Sequence, residues 1–135
     1  MKTRNVQLLM VSPEQAFEAW FSPDTMVRLG LKAAEIEPRH GGAFAFNTHD
    51  GHLTSGVFTA FAPERTVQTW AVRSPGGELV ESLITTEFKP LPDGGTEMSI
   101  VEESEALATP EARADGEAGW AAVMTGFADV LETTR

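Results

Sequence analysis

Turn signals divide the middle of the sequence into runs that are too short to hold crossover helices. Each signal is a cluster of Gly, Pro or Asp, and the short runs between them are rich in apolar residues. Asp-Gly between two apolar runs favours a hairpin, because the central turn residues need positive φ. Parallel strands need long connections, so the pattern predicts a meandering antiparallel sheet. The signals lie at residues 39–42, 49–51, 62–64, 74–77 and 92–95.

Alternation along each predicted strand sorts the side chains onto two faces of the sheet. One face carries Glu87, Glu97, Ser99 and Glu103 and suits solvent. The other collects large apolar side chains and is predicted to face the core. Its members are Phe44, Phe46, Phe58, Ala60, Gln68, Trp70, Val72, Ile84, Thr86, Phe88, Met98, Ile100 and Glu102.

Two short helices are predicted between the first strand and the rest of the sheet. Residues 4–11 predict a strand, and the sequence SPEQ at 12–15 then supplies a capping box with Pro at the first helical position. The sequence Ser-Pro-Asp at 22–24 repeats the start signal and begins another short helix. We expect that helix to run to Leu29, because Gly30 is a natural C-terminal stop.

From residue 109 the spacing of apolar residues becomes helical. Thr109 can cap this helix and Pro110 can begin it. Gly116 and Gly119 each cost about 1 kcal/mol relative to Ala inside a helix, so we expect a gap there or the close approach of another element. The helix must bury its apolar stripe, and the predicted sheet face is the only large apolar surface available. The stripe is Trp120, Val123, Phe127, Val130 and Leu131.

Composition and charge exclude several classes of site and partner. The chain has 135 residues, the size of one domain, and we treat residues 1–135 as a single domain. It has no Cys, which excludes disulfides, thiolate catalysis and zinc–thiolate or iron–sulfur sites. The formal charge of −10 would repel nucleic acid and anionic membranes, so we expect the protein to bind neither. We find no secretion signal or membrane span and expect a cytoplasmic protein.

A series of short motifs resembles one protein superfamily. Residues 12–20, SPEQAFEAW, resemble the opening of the SRPBCC (START/Bet v-like) superfamily. The nearest group is the one named after the C-terminal domain of the heat-shock protein 90 ATPase activator. The resemblance covers nearly the whole chain and implies an α+β helix-grip fold, with a curved antiparallel sheet of about six strands, two short helices and one long C-terminal helix packed across it. The other matching motifs are GGAF at 41–44, APERTVQTW at 62–70 after Gly56, DGGTEM at 93–98 and GW at 119–120.

Three positions depart from the family pattern. Leu29 stands where the family often has Trp, and Thr66 replaces a Leu. Glu102 stands where the family often has His near the end of the last strand. Cavities vary freely across this superfamily, so these differences bear on the ligand and not on the fold.

The resemblance implies a cavity between the sheet and the long helix that holds a small, mostly apolar ligand. A helix laid across a bent sheet cannot touch it along its full length, which points to the same place. The same side chains could instead fill the core, since an aromatic stripe is more often core than pocket. The candidate ligand-binding residues are Phe44, Phe46, Phe58, Gln68, Trp70, Ile84, Thr86, Phe88, Met98, Ile100, Glu102, Trp120, Val123 and Phe127.

Glu102 has two interpretations. If alternation continues to the end of the last strand, its carboxylate faces the cavity and could act as an acid, a base or a partner for a cationic ligand. If the strand frays or bulges, the carboxylate is solvated beside Glu103 and Glu105. We favour the second interpretation, because isolated buried charges are costly.

Other chemistry-bearing motifs are weak. His49, Asp50 and His52 are metal-ligating residue types, but they lie on a predicted tight turn with no further ligand nearby, so we expect an exposed turn and no metal site. The sequence contains no nucleophile elbow, P-loop or dinucleotide-binding glycine motif, and we expect no cofactor.

Three functions are compatible with these features. The first is a module that binds a hydrophobic small molecule, as a monomer or a homodimer. The second is a cavity enzyme of cyclase, aromatase, hydratase or lyase type, which needs an acid–base pair in the cavity. The absence of Tyr and of an inward-facing His weakens it. The third is a co-chaperone, as the group's name implies. We expect that name to be inherited nomenclature, because the eukaryotic activators join this domain to a separate N-terminal domain that engages the chaperone.

Overall fold

Seven strands form one antiparallel sheet in the computed structural model, which describes residues 1–133. Their order across the sheet is β1-β7-β6-β5-β4-β3-β2, so β1 and β2 are the edges. Two short helices follow β1, and a short 3₁₀ turn precedes the long last helix. The elements are β1 Lys2–Leu9, α1 Pro13–Trp20, α2 Pro23–Arg28, β2 Ala33–Ile36, β3 Ala43–Asn47, β4 Leu53–Phe61, β5 Thr66–Arg73, β6 Leu79–Pro90, β7 Thr96–Glu103, the 3₁₀ turn Glu105–Leu107 and α3 Pro110–Thr133.

The predicted α+β helix-grip architecture is confirmed, with seven strands in the sheet where about six were expected. The additional strand is β2, whose four residues, AAEI, show no clear strand pattern in the sequence. Its small side chains and short length give little alternation to detect.

The first helix-start signal acts as predicted, whereas Ser22 precedes α2 without a capping hydrogen bond from its side chain. The Ser12 hydroxyl accepts a hydrogen bond from the Gln15 backbone N–H at 3.2 Å, and the Gln15 side chain accepts one from the Ser12 N–H, also at 3.2 Å. Helix α2 ends at Arg28, and Gly30 follows with φ of 114°. Only glycine adopts that backbone angle at little cost, so Gly30 turns the chain into β2.

Helix α3 is continuous, so the first of the two alternatives for its glycines, a gap, does not occur. Thr109 caps it, since its hydroxyl accepts from the Ala112 N–H at 3.1 Å. Gly116 is explained by close approach, because a Cβ there would lie 3.3 Å from Leu107 Cδ2. The buried face shares Phe127 and Leu131 with the predicted stripe but uses Met124 where Val123 was expected. Met124 lies in the core, whereas the Val123 side chain is 38% exposed.

The strand register places the predicted inner residues in rows across the sheet. One row runs through Phe58, Gln68, Ile84, Glu102 and Thr3 on five neighbouring strands. This row crosses the middle of the sheet and ends beneath α3.

Two local expectations on the inner face are wrong. A bulge in β4 shifts the register between Phe58 and Ala60, and Phe61 instead of Ala60 joins the aromatic core. Strand β7 does not fray at Glu102 but continues to Glu103, and Glu102 pairs with both Ile84 and Thr3. Hydrogen bonds to its carboxylate, described below, offset the cost of partial burial.

Candidate functional site

A cavity of about 370 Å³ lies between the inner face of the sheet, the α1–α2 segment and α3. Most of its wall is apolar, and it opens to solvent beside the partly exposed Val123. Its volume falls within the range of about 300–1,000 Å³ that is typical of small-molecule sites. The lining residues are Trp20, Phe21, Met26, Leu29, Leu31, Phe46, Thr54, Gln68, Trp70, Ile84, Gly119, Trp120 and Val123.

The structure divides the candidate ligand-binding residues into lining and core. Those that line the cavity are Phe46, Gln68, Trp70, Ile84, Trp120 and Val123. Another group is buried in the core away from it: Phe44, Phe58, Thr86, Phe88, Met98, Ile100 and Phe127. Glu102 lies outside the lining but bonds to Trp120 in the cavity wall. Ligand contact by any of these residues stays a prediction.

Sequence reasoning missed the wall formed by the α1–α2 segment. The missed lining residues are Trp20, Phe21, Met26, Leu29, Leu31, Thr54 and Gly119. The usable signal was the apolar run after the first helix start, where Trp20 and Phe21 precede the second one. Gly119 was noticed as costly to the helix, but its open surroundings were not foreseen.

All three tryptophans of the chain line the cavity. The Trp20 ring meets Phe127 edge-on with centroids 5.0 Å apart. The Trp70 and Trp120 rings are tilted at 51° with centroids 5.5 Å apart, and together they join the sheet to α3. Because the chain contains no Tyr, its intrinsic fluorescence comes almost entirely from these three tryptophans. That fluorescence therefore reports on the cavity wall.

Two polar side chains, Gln68 and Thr54, face this otherwise apolar space. Gln68 is only 3% exposed, and Thr54 is also buried. Within residues 1–133 neither side chain bonds to another protein group, and neither has a polar atom that is both sealed from solvent and unpaired. Their polar atoms therefore reach the open space of the cavity, where a water or a bound molecule can pair with them.

Glu102 ties the sheet to the wall of the cavity. Its Oε1 accepts a hydrogen bond from Trp120 Nε1 at 2.9 Å, and its Oε2 accepts one from Ser82 Oγ at 2.7 Å. The carboxylate is half-buried and lies outside the lining. No charged side chain lines the cavity among the residues that the structure describes.

The turn between β3 and β4 is a polar cluster on the surface. The Asp50 carboxylate accepts hydrogen bonds from the Thr48 hydroxyl and from His52 Nδ1, the latter at 2.9 Å. The Thr48 bond, followed by the His52 bond, lowers the pKa of Asp50 to about 2. Over positions 1–133, no group of three or more His, Asp or Glu side chains is arranged to hold a metal ion.

None of the helices within the described residues is long and apolar enough to cross a membrane. The longest, α3, carries acidic residues and glycines along its first half.

Solved structures share this fold at low sequence identity. Protein MLL2253 from Mesorhizobium loti aligns with a TM-score of 0.84 and 18% identity, covering 100% of this chain and 99% of that one. DynU16, a protein of the dynemicin biosynthetic locus, aligns with a TM-score of 0.83 and 15% identity. The alignment covers 99% of this chain and 48% of DynU16. PFC0360w, an HSP90 activator from Plasmodium falciparum, aligns with a TM-score of 0.63 and 24% identity. The alignment covers 77% of this chain and 73% of that one.

Sequence comparison defines the family. No curated protein matches the sequence. Residues 10–132 match the family described as activator of Hsp90 ATPase homolog 1-like protein. This match covers most of the chain and agrees with the motifs at 12–20 and 62–70. The chain therefore belongs to the activator of Hsp90 ATPase homolog 1-like family.

Proposed function

We propose that the protein binds a small hydrophobic molecule in the cavity between the sheet and α3. The observation that carries this proposal is the half-open space of about 370 Å³ with its apolar wall. Burial of apolar ligand surface in such a space releases about 25 cal/mol per Å². A small molecule is therefore bound chiefly by the hydrophobic effect.

Gly119 supports this proposal. Glycine inside a helix costs about 1 kcal/mol relative to Ala, and a Cβ at Gly119 would meet nothing within 4 Å. Packing therefore does not require glycine at this position. The missing side chain leaves the cavity mouth open, which suits entry of a ligand. A fold neighbour from a biosynthetic locus is in keeping with a small-molecule ligand.

Narrowing the mouth tests the proposal. The uncharged dye N-phenyl-1-naphthylamine, whose fluorescence rises when it leaves water, is titrated into the wild type and two variants. Gly119→Leu adds a side chain at the lining, whereas Ala118→Leu adds the same side chain at the neighbouring exposed position. We expect Gly119→Leu to weaken dye binding by about ten-fold or more, which is about 1.4 kcal/mol. Ala118→Leu should stay within about two-fold of the wild type. Equal affinities for all three proteins, or no dye binding to the wild type, would contradict the proposal.

A further inference from the structure

The position of Gln68 is unusual for an amide side chain. It lies on β5 in the middle of the sheet, between Phe58 on β4 and Ile84 on β6, both only 1% exposed. The residue is only 3% exposed, its amide reaches the cavity, and within residues 1–133 it makes no hydrogen bond to another protein group.

Folding alone does not explain this amide. An apolar side chain of similar size, such as Leu or Met, would fill the same place without turning a polar group towards an apolar cavity. The amide offers both a donor and an acceptor to whatever occupies the cavity. Thr54, the other polar lining residue, lies nearer the turn between β3 and β4.

The walls around Gln68 favour flat rings. Phe46 and Trp70 meet at 68° with centroids 5.9 Å apart, and Trp70 and Trp120 meet at 51°. Rings inclined in this way present both faces and edges, to which a further aromatic ring packs in offset or edge-to-face geometry.

Charge and size narrow the class of ligand further. A charged group would lose its hydration in a cavity where no lining residue of the described chain carries a compensating charge. The volume lies near the lower end of the usual range, which suits two or three fused rings better than a long lipid chain.

We infer that the cavity takes an uncharged, planar aromatic compound whose edge carries a hydroxyl or carbonyl group, and that this group hydrogen-bonds to the Gln68 amide. This inference rests on the proposed function and makes Gln68 the residue that sets ligand specificity.

A matched set of three compounds tests it: 2-naphthol, naphthalene and 2-naphthoate at neutral pH. They share one ring system and differ in having a neutral hydroxyl, no polar group or a charge. Binding is followed by the NMR signals of the three tryptophan indole N–H groups, all of which belong to the cavity wall. We expect 2-naphthol to bind about ten-fold more tightly than either of the other compounds.

Two variants locate the effect. Gln68→Leu removes the amide, and Thr86→Val removes another buried polar group on the same face that is unpaired and lies outside the lining. In Gln68→Leu the advantage of 2-naphthol over naphthalene should disappear, while naphthalene binds as in the wild type. In Thr86→Val the advantage should remain. Circular dichroism and thermal unfolding verify that both variants fold.

The outcomes separate the inference from the proposed function. If naphthalene or 2-naphthoate binds to the wild type as tightly as 2-naphthol, the inference is wrong and the binding function stands. An advantage of 2-naphthol that survives in Gln68→Leu also overturns it. If no compound shifts the indole signals, the inference fails, and the dye titration decides the proposed function independently.

Discussion

The indole Nε1 of Trp120 donates a hydrogen bond to Oε1 of Glu102 across 2.9 Å, and this bond joins α3 to the last strand of the sheet. Ser82 occupies the other carboxylate oxygen at 2.7 Å. A cavity enzyme would need its carboxylate in contact with the substrate. Here both oxygens already accept hydrogen bonds and Glu102 lies outside the lining. In the proposed binding function, Glu102 therefore holds one wall of the cavity in place.

Replacing Glu102 should therefore loosen the fold at α3. We expect Glu102→Met to lower the free energy of unfolding by about 1–3 kcal/mol, because the Trp120 N–H and the Ser82 hydroxyl both lose their acceptor. Urea denaturation followed by tryptophan fluorescence measures the change.

Glu103→Met is the matched control. Glu103 is the next residue on β7, and within residues 1–133 its ion pair is an exposed one with Lys2 at 3.6 Å. Its replacement should therefore change stability by less than about 0.5 kcal/mol. A double-mutant cycle adds Trp120→Phe, which keeps a ring but removes the donor. We expect a coupling of at least about 0.5 kcal/mol between Glu102 and Trp120. Strictly additive effects would show that the hydrogen bond contributes nothing.

The two glycines of α3 should respond differently to alanine. Gly119→Ala should raise stability by about 0.5–1 kcal/mol, because the helix gains propensity and the new methyl meets nothing within 4 Å. Gly116→Ala should gain less, since its methyl lies 3.3 Å from the buried Leu107. Thermal and urea unfolding of both variants give the comparison. A larger gain at Gly116 would mean that this contact yields easily and that the close approach does not require glycine.

Gly56 allows two rings to meet across an intervening strand. It pairs with Phe44 of β3, and the rings of Phe44 and Trp70 on either side of β4 have centroids 5.4 Å apart. A Cβ at Gly56 would lie 2.0 Å from the Thr69 carbonyl oxygen, so the backbone must shift. We expect Gly56→Ala to destabilise the protein by about 1–3 kcal/mol and to alter the indole NMR signal of Trp70. Unchanged unfolding and unchanged indole signals would mean that β4 adapts freely.

The sequence correctly predicted those features that depend only on residues close together in the chain, such as helix starts and stops. The capping box at 12–15 and the stop at Gly30 each need only a few adjacent side chains, and both were correct. Alternation along β5 placed Gln68 and Trp70 on the inner face for the same reason. The overall arrangement came from the family resemblance as much as from these patterns.

Contacts between distant segments were beyond this reasoning. Spacing along α3 does not decide between Val123 and Met124, because both are apolar and either one fits a stripe that includes Phe127 and Leu131. The bulge that brings Phe61 into the core has no clear turn residue to announce it. The partner of Glu102 is Trp120, on another element, and no spacing rule connects the two positions.

The turn between β3 and β4 should show an acid-sensitive carboxylate. The Thr48 hydroxyl and then His52 lower the pKa of Asp50 to about 2, from a usual value of 3.8. Because the folded value is the lower one, the turn's contribution to stability is present above about pH 4 and is lost as the pH falls towards 2. An NMR titration of the Asp50 carboxyl carbon measures the midpoint directly. Thr48→Val should raise that midpoint towards 3.8, whereas Thr125→Val, at an exposed position of α3, should leave it unchanged. A wild-type midpoint near 4, or one that does not respond to Thr48→Val, would mean that the hydroxyl does not hold the carboxylate in solution.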